Sequence, residues 1–244
     1  MTAMEHDPFQ TDPVLRRAAG YPYDITQTSF TFVDGEAAPF DPALTKGRHP
    51  VIGYGSNQSP QRLRQKYGTA HSPIPVQRGR LADHDVVYSA HFSSYGSLPA
   101  ALRHVAGTTV SVAVNWLDDE QLAAMHPTEW DNYHYARLTN ISLRLAEGEE
   151  LGEAYAYLSF RGHVARAGEP IALAAVAADN RQLGALDQIE ALALMRDRMA
   201  PGVALAEFVH AHIADAELRA ARVRQLMDAA VAGLHAAHEI VGYD

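Results

Sequence analysis

The chain has 244 residues, of which 47% are hydrophobic and 20% charged, and its formal net charge is −9. That length suffices for one sizeable core, and the acidic balance argues against nucleic acid as a partner. Cysteine is absent, which removes disulfides, thiolate zinc sites and thiol nucleophiles together.

No apolar run approaches the roughly 20 residues a membrane-spanning helix needs. The acidic, Pro-containing start MTAMEHDPFQTDP is unlike a signal peptide or a basic transit sequence. The expectation is a cytoplasmic protein with no membrane partner.

Residues 1–48 read as an N-terminal arm or extension, rich in Pro, Asp and Thr and loosely packed. It holds one alternating stretch, Ser29–Val33, before an Asp34-Gly35 turn. His49–Tyr54 reads as a short buried strand broken by Gly53-Tyr54-Gly55-Ser56-Asn57. Ser59 then caps a helix with Pro60 at its first position, ending at Gly68. Leu81–Phe92 is a second extended segment, and Ser93–Gly107 a loop of small residues. Thr109–Trp116 alternates cleanly, with Val110, Val112 and Val114 on one face. Asp118 caps a short helix that stops at Pro127, Tyr133–Leu145 is a strand, and Gly152–Phe160 is its antiparallel partner. Helical spacing recurs in Ile171–Ala178, Leu186–Met199 and a long Ala-rich run from Leu205 to about His238. This order predicts an α+β fold, a small mixed β-barrel or sheet flanked by helices. A domain over 49–200 would then carry a helical C-terminal extension, 201–244, packed on it or, in a homodimer, on a neighbour.

The strand–loop–helix unit around Gly53 is where backbone N–H groups can hold an anion. It lacks the third glycine of a dinucleotide fingerprint and the Gly-Lys of a P-loop. Both glycines precede Ser56, so it is no nucleophile elbow either. An ordinary strand-to-helix turn fits the same spacing. Among the carboxylates, Glu129 follows a helix stop beside Trp130 and ahead of Tyr133 and Tyr135, yet a lone loop Glu is not singled out by its neighbours. The pairs His210/His212 and His235/His238 have chelating spacings, but no His-Glu-x-x-His motif accompanies them, so no metal is expected.

Tyr54-Gly55-Ser56-Asn57 after an apolar strand resembles the signature loop of the γ-glutamylcyclotransferase-like family. Gly79–His84 is similar to the family's entry into its second strand. Thr109–Trp116, Leu122, Met125, Glu129 and Tyr135 follow the family's order of strand, short helix, catalytic glutamate and tyrosine-led strand. Ala156-Tyr157-Leu158 resembles a later strand that supplies a site tyrosine, and Ala175–Ala193 the family's helical tail. The resemblance covers about residues 50–195.

It implies a cofactor-independent enzyme that cyclises the γ-glutamyl group of a small-molecule peptide or amine to 5-oxoproline. Amides of Gly55, Ser56 and Asn57 would hold the α-carboxylate, with Tyr54, Gln58, Tyr135 and Tyr157 binding substrate. Glu129 would move the proton. Tyr133 and Tyr135 compete for one role, and Met125, His126 and Trp130 depart from the family's pattern; Trp130 is expected to reshape the pocket. The alternative is a non-catalytic ligand-binding or interaction module on the same fold, which a Glu129 facing solvent would favour; a histidine-dependent hydrolase is a third reading.

Overall fold

The computed structural model describes residues 7–242; the first six residues of the expected arm and the last two of the C-terminal extension lie outside it. Two helices, α1 (Pro8–Thr11) and α2 (Pro13–Ala19), precede a hairpin of β1 (Phe30–Val33) and β2 (Glu36–Pro39). Then come β3 (His49–Gly53), α3 (Pro60–Tyr67), β4 (Ile74–Tyr88), β5 (Ala100–Leu117), α4 (Asp119–Met125), β6 (Tyr133–Leu145) and β7 (Glu150–Ser159). Short strands follow: β8 (Ala165–Arg166), β9 (Glu169–Pro170), β10 (Ala172–Leu173), β11 (Ala178–Asp179) and β12 (Ala185–Leu186). The chain ends through α5 (Gln188–Met199), α6 (Leu205–Ala214), α7 (Ala216–Asp228) and β13 (His238–Ile240).

Five strands close on themselves in the order β4-β5-β3-β7-β6 and back to β4. All these pairings are antiparallel except β3–β7, whose register sets Val51 against Tyr155 and Ile52 against Ala156. Alternation divides the strand residues between two apolar clusters. Val110, Val112 and Val114 join α2, α5, α6 and α7 in one. Ala113 and Leu117 join Leu63 of α3 and Met125 of α4 in the other. The α+β barrel expectation matches this architecture.

Several local expectations change. β5 begins at Ala100, so 100–107, expected as loop, is strand; the long partner β4 extends it through His84↔His104 to Tyr88↔Ala100. Ile171–Ala178, expected as helix, is two short strands joined by a turn at 174–176, β10 pairing with β4 and β12 and β11 with β5. The Ala-rich run is two helices rather than one. Asp215 ends α6 and caps α7 by accepting from the Glu217 and Leu218 amides at 2.9 and 3.0 Å. Residues 229–242 are not helical, and β13 pairs with β6.

The arm, expected to be loosely packed, is built into the core. Asp12 caps α2 through the Val14 amide at 2.8 Å and meets His210 of α6 at 2.8 Å. Leu15 and Ala18, one helical turn apart, are buried in the main cluster, and β1 adds to β4. Leu15→Ala should therefore cost about 2–5 kcal/mol, as for other core truncations. Urea unfolding measures this; a change within about 0.5 kcal/mol, the level of surface substitutions, would contradict the packing.

His212 of α6 is wholly buried. Arg222 Nη1, which can only donate, lies 3.0 Å from its Nδ1, so Nδ1 accepts and Nε2–H donates to the Gly96 carbonyl at 3.2 Å. Burial, then the Arg222 and Arg219 charges, hold the ring's pKa down to about 4, against the Gly96 bond. The unfolded chain takes up this proton near pH 6.5 and the folded one near 4. The stability from this group is thus whole above pH 6.5 and lost as pH falls toward 4. Equilibrium unfolding across that window should show a shallower pH slope for His212→Gln than for the wild type; equal slopes would show that His212 does not titrate this way.

Candidate active site

β3 ends at Gly53, where the chain must turn under a buried neighbour: a Cβ there would lie 2.6 Å from Asn115 Nδ2. A 3₁₀ turn, Ser56–Gln58, leads into α3. Gly55 is required for closeness, because a Cβ there would collide with the Tyr21 hydroxyl and reach 3.0 Å from Ala100 Cβ. Tyr21, from the arm, accepts the Ala100 amide at 2.8 Å. Its hydroxyl thus occupies one side of the loop.

A cavity of about 680 Å³ opens above this loop. Tyr54, Gly55, Ser56 and Asn57 line it together with Glu129, Tyr133 and Tyr157. Glu129 belongs to the turn after α4, where its own amide and that of Trp130 bond the His126 carbonyl at 3.0 and 3.1 Å. Its Oε1 accepts from Asn57 Nδ2 at 3.3 Å and pairs with Lys66 Nζ. Lys66 is nearly sealed, with 2% of its side chain exposed against 15% for Glu129. Burial pushes the lysine's pKa down, opposed by the attraction of Glu129.

Two of the cavity's tyrosines, Tyr54 and Tyr133, are neutral and turned to the backbone. Tyr54 donates to the Tyr157 carbonyl, and Tyr133 to the Ala100 carbonyl at 2.9 Å. Burial is the first cause that holds both phenols well above their ordinary pKa; the Glu129 charge comes next for Tyr54, and Tyr54 for Tyr133. The Tyr157 hydroxyl meets His126 Nδ1 at 2.9 Å.

Two expected binding residues lie elsewhere. Gln58 is buried behind the loop, where its Oε1 accepts from Arg78 Nη1 at 2.8 Å. Tyr135 does not line the cavity, because two residues along a strand advance the side chain by about 6.7 Å. It stacks instead on Tyr155, with ring centres 5.1 Å apart, beside His126. Tyr133 is the one that faces the cavity. Trp130, expected to reshape the pocket, is half exposed and off the lining.

The cavity also takes residues that the sequence reading missed. Tyr21 comes from the arm, His91 from the segment after β4, Arg62 from α3, Arg161 from the end of β7 and Arg219 from α7. Arg62 and Lys66 are four apart on α3, and that spacing could have placed both on the helix face behind Glu129. The distant histidines have structural partners: His210 meets Asp12, and His212 meets Gly96 and Arg222.

No family model matches the chain, and no curated protein gives a significant match. Solved structures that resemble it include one named gamma-glutamyl cyclotransferase. That likeness is 18% identical over 46% of this chain and 66% of the other, just under two thirds, with a TM-score of 0.37. A solution structure from Arabidopsis thaliana is 14% identical over 46% of this chain and 68% of its own, with a TM-score of 0.36. An uncharacterized protein from Homo sapiens is 16% identical over 55% and 68%, with a TM-score of 0.37.

The Lys66–Glu129 pair makes a stability prediction. Glu129→Gln leaves the ammonium buried without its counter-charge and should cost on the order of 3 kcal/mol. Adding Lys66→Met should recover most of that, read as the coupling in a double-mutant cycle of urea unfolding; additive costs would show that the two side chains do not interact.

Proposed function

We propose that the protein cyclises the γ-glutamyl group of a small γ-glutamyl peptide or amine to 5-oxoproline, releasing the amine, with Glu129 as acid and base. The observation that carries this reading is that Glu129 and the Tyr54–Asn57 loop line one cavity, with Asn57 bonded to the carboxylate. A Glu129 turned to solvent would have favoured a binding module.

In this reading the loop amides hold the substrate's α-carboxylate, and the Tyr21 hydroxyl, whose oxygen already accepts the Ala100 N–H, donates its proton to the same anion. Glu129 takes a proton from the α-ammonium. Lys66, on the same carboxylate oxygen, disfavours a second cation there and so biases the substrate amine toward its neutral, nucleophilic form. The amine attacks the γ-carbonyl carbon, Glu129 returns the proton to the departing nitrogen, and the freed carboxylate relays the ring nitrogen's extra proton to the released amine, which leaves as an ammonium. Because the nucleophile belongs to the substrate, the protein supplies position and proton transfer. Well-oriented intramolecular reactions gain about 7–11 kcal/mol, and positioned proton transfer roughly 10²–10⁴-fold.

The test is incubation with γ-glutamyl amino acids, γ-glutamyl amines and glutathione, reading 5-oxoproline by mass spectrometry. The wild type should form it, and the folded Glu129→Gln/Lys66→Met variant should not. Turnover by that variant would remove Glu129 from the mechanism. A silent wild type that is nonetheless stabilised by a γ-glutamyl compound would make the site a binding module.

A further inference from the structure

His91 lines the cavity but has no part in the proton transfer assigned to Glu129. Its ring is 4% exposed and stands edge-on to Tyr133, with centres 5.8 Å apart. Behind it runs a buried chain of hydroxyls. His91 Nδ1 lies 2.9 Å from Ser89 Oγ, which lies 2.7 Å from Ser159 Oγ. The Arg161 amide donates to Ser159 Oγ at 3.2 Å.

That last bond gives the chain a direction. Among the described contacts the Ser159 proton has Ser89 Oγ as its acceptor, so Ser159 donates to Ser89. Ser89 in turn donates to Nδ1. The reverse order would leave the Ser159 proton without an acceptor in this chain, at a site 3% exposed, which is costly. Nδ1 is therefore the acceptor, and the proton sits on Nε2. Nδ1 is turned to Ser89, which is fully buried and off the cavity lining, so the Nε2 edge is left to the cavity. The same burial of Ser89 means that the pair does not offer a serine nucleophile.

We infer that His91 presents a fixed, neutral Nε2–H donor to the substrate's γ-carbonyl oxygen and stabilises the oxyanion formed there, with Ser89 and Ser159 as positioning residues that set the tautomer. Burial first, and then the Arg161 charge, hold the ring's pKa down to about 3, so it stays neutral through the working range. The step balances without any further reagent. The substrate amine forms a bond to the γ-carbon, and the carbonyl π electrons move to the oxygen, which His91 holds. As they return, the bond to the leaving nitrogen breaks, and that nitrogen takes the proton carried by Glu129. The extra proton on the ring nitrogen then passes through the freed carboxylate to the released amine, which departs as an ammonium. Phenols that donate to backbone carbonyls, as Tyr54 and Tyr133 do, cannot serve this oxygen.

The inference rests on the cyclisation reading, so its test has one arm that does not. Nitrogen-15 NMR of ring-labelled wild-type protein should show His91 protonated on Nε2 from about pH 5 to 8, and Ser89→Ala should mix the tautomers. A ring protonated on Nδ1 in the wild type overturns the inference whatever the activity. In the 5-oxoproline assay His91→Phe should lower kcat by about 10²–10³-fold, the size found for one oxyanion donor, with KM little changed. His91→Gln, whose amide can place a donor near Nε2, should recover part of it. Folded His91→Phe with kcat close to wild type overturns the catalytic role. A wild type that is silent on every γ-glutamyl compound overturns it together with the cyclisation, while the NMR arm still decides the donor.

Discussion

The double engagement of β4 is the constraint on which the rest hangs. It pairs with β5 along most of its length and with β6 through Gly79–Leu81, and that second ladder closes the barrel. Its two edges serve the two partners at once over those three residues, and the register shift that follows between Ala82 and His84 bends the strand and strengthens its twist. Closure removes two sheet edges and fixes where β3 and β7 end relative to each other. The loop after β3 and the tyrosines of β6 and β7 thereby face one space.

That space is assembled from distant parts of the chain. The arm brings Tyr21, the barrel brings the loop and two tyrosines, the turn after α4 brings Glu129, and α7 brings Arg219. The carboxylate is held from two sides, by Asn57 of the loop and Lys66 of α3. Both come from one continuous strand–turn–helix unit, so the geometry of the anion-binding turn and the position of the charge opposite it are set together.

The sequence made this unit legible because its signals are local. Gly53, Gly55, Pro60 and Gly68 punctuate the backbone in ways that need no tertiary partner. Asp118 likewise announced α4, where it also forms a reciprocal cap with Gln121 that the reading had not named. What was illegible depended on partners far away. Ile171–Ala178 carries helix-favouring alanines, but its amides are claimed by strand edges, and tertiary context overrides propensity. The break at Asp215 could have been read, since Asp prefers a cap to a helix interior; the surrounding alanines masked it. The arm's Pro and Asp content hid Leu15 and Ala18, and nothing near Tyr21 shows that Gly55 awaits its hydroxyl. Tyr133 and Tyr135 share a face, and their choice depended on where His126 and Tyr155 already stood.

The parallel β3–β7 ladder also governs how the molecule comes into being. Val51 cannot meet Tyr155 until about a hundred intervening residues have left the ribosome. At roughly 5–20 residues per second of synthesis, β3 spends seconds beside β5 alone, with one hydrogen-bonding edge open. Loop closure over that span is slow, and open strand edges invite association with other chains. A polar turn and a charged helix follow β3 immediately: Arg62, Arg64 and Lys66 emerge directly behind it. The same helix that later faces the cavity thus gives the nascent strand a repulsive, soluble neighbour while it waits for its partner.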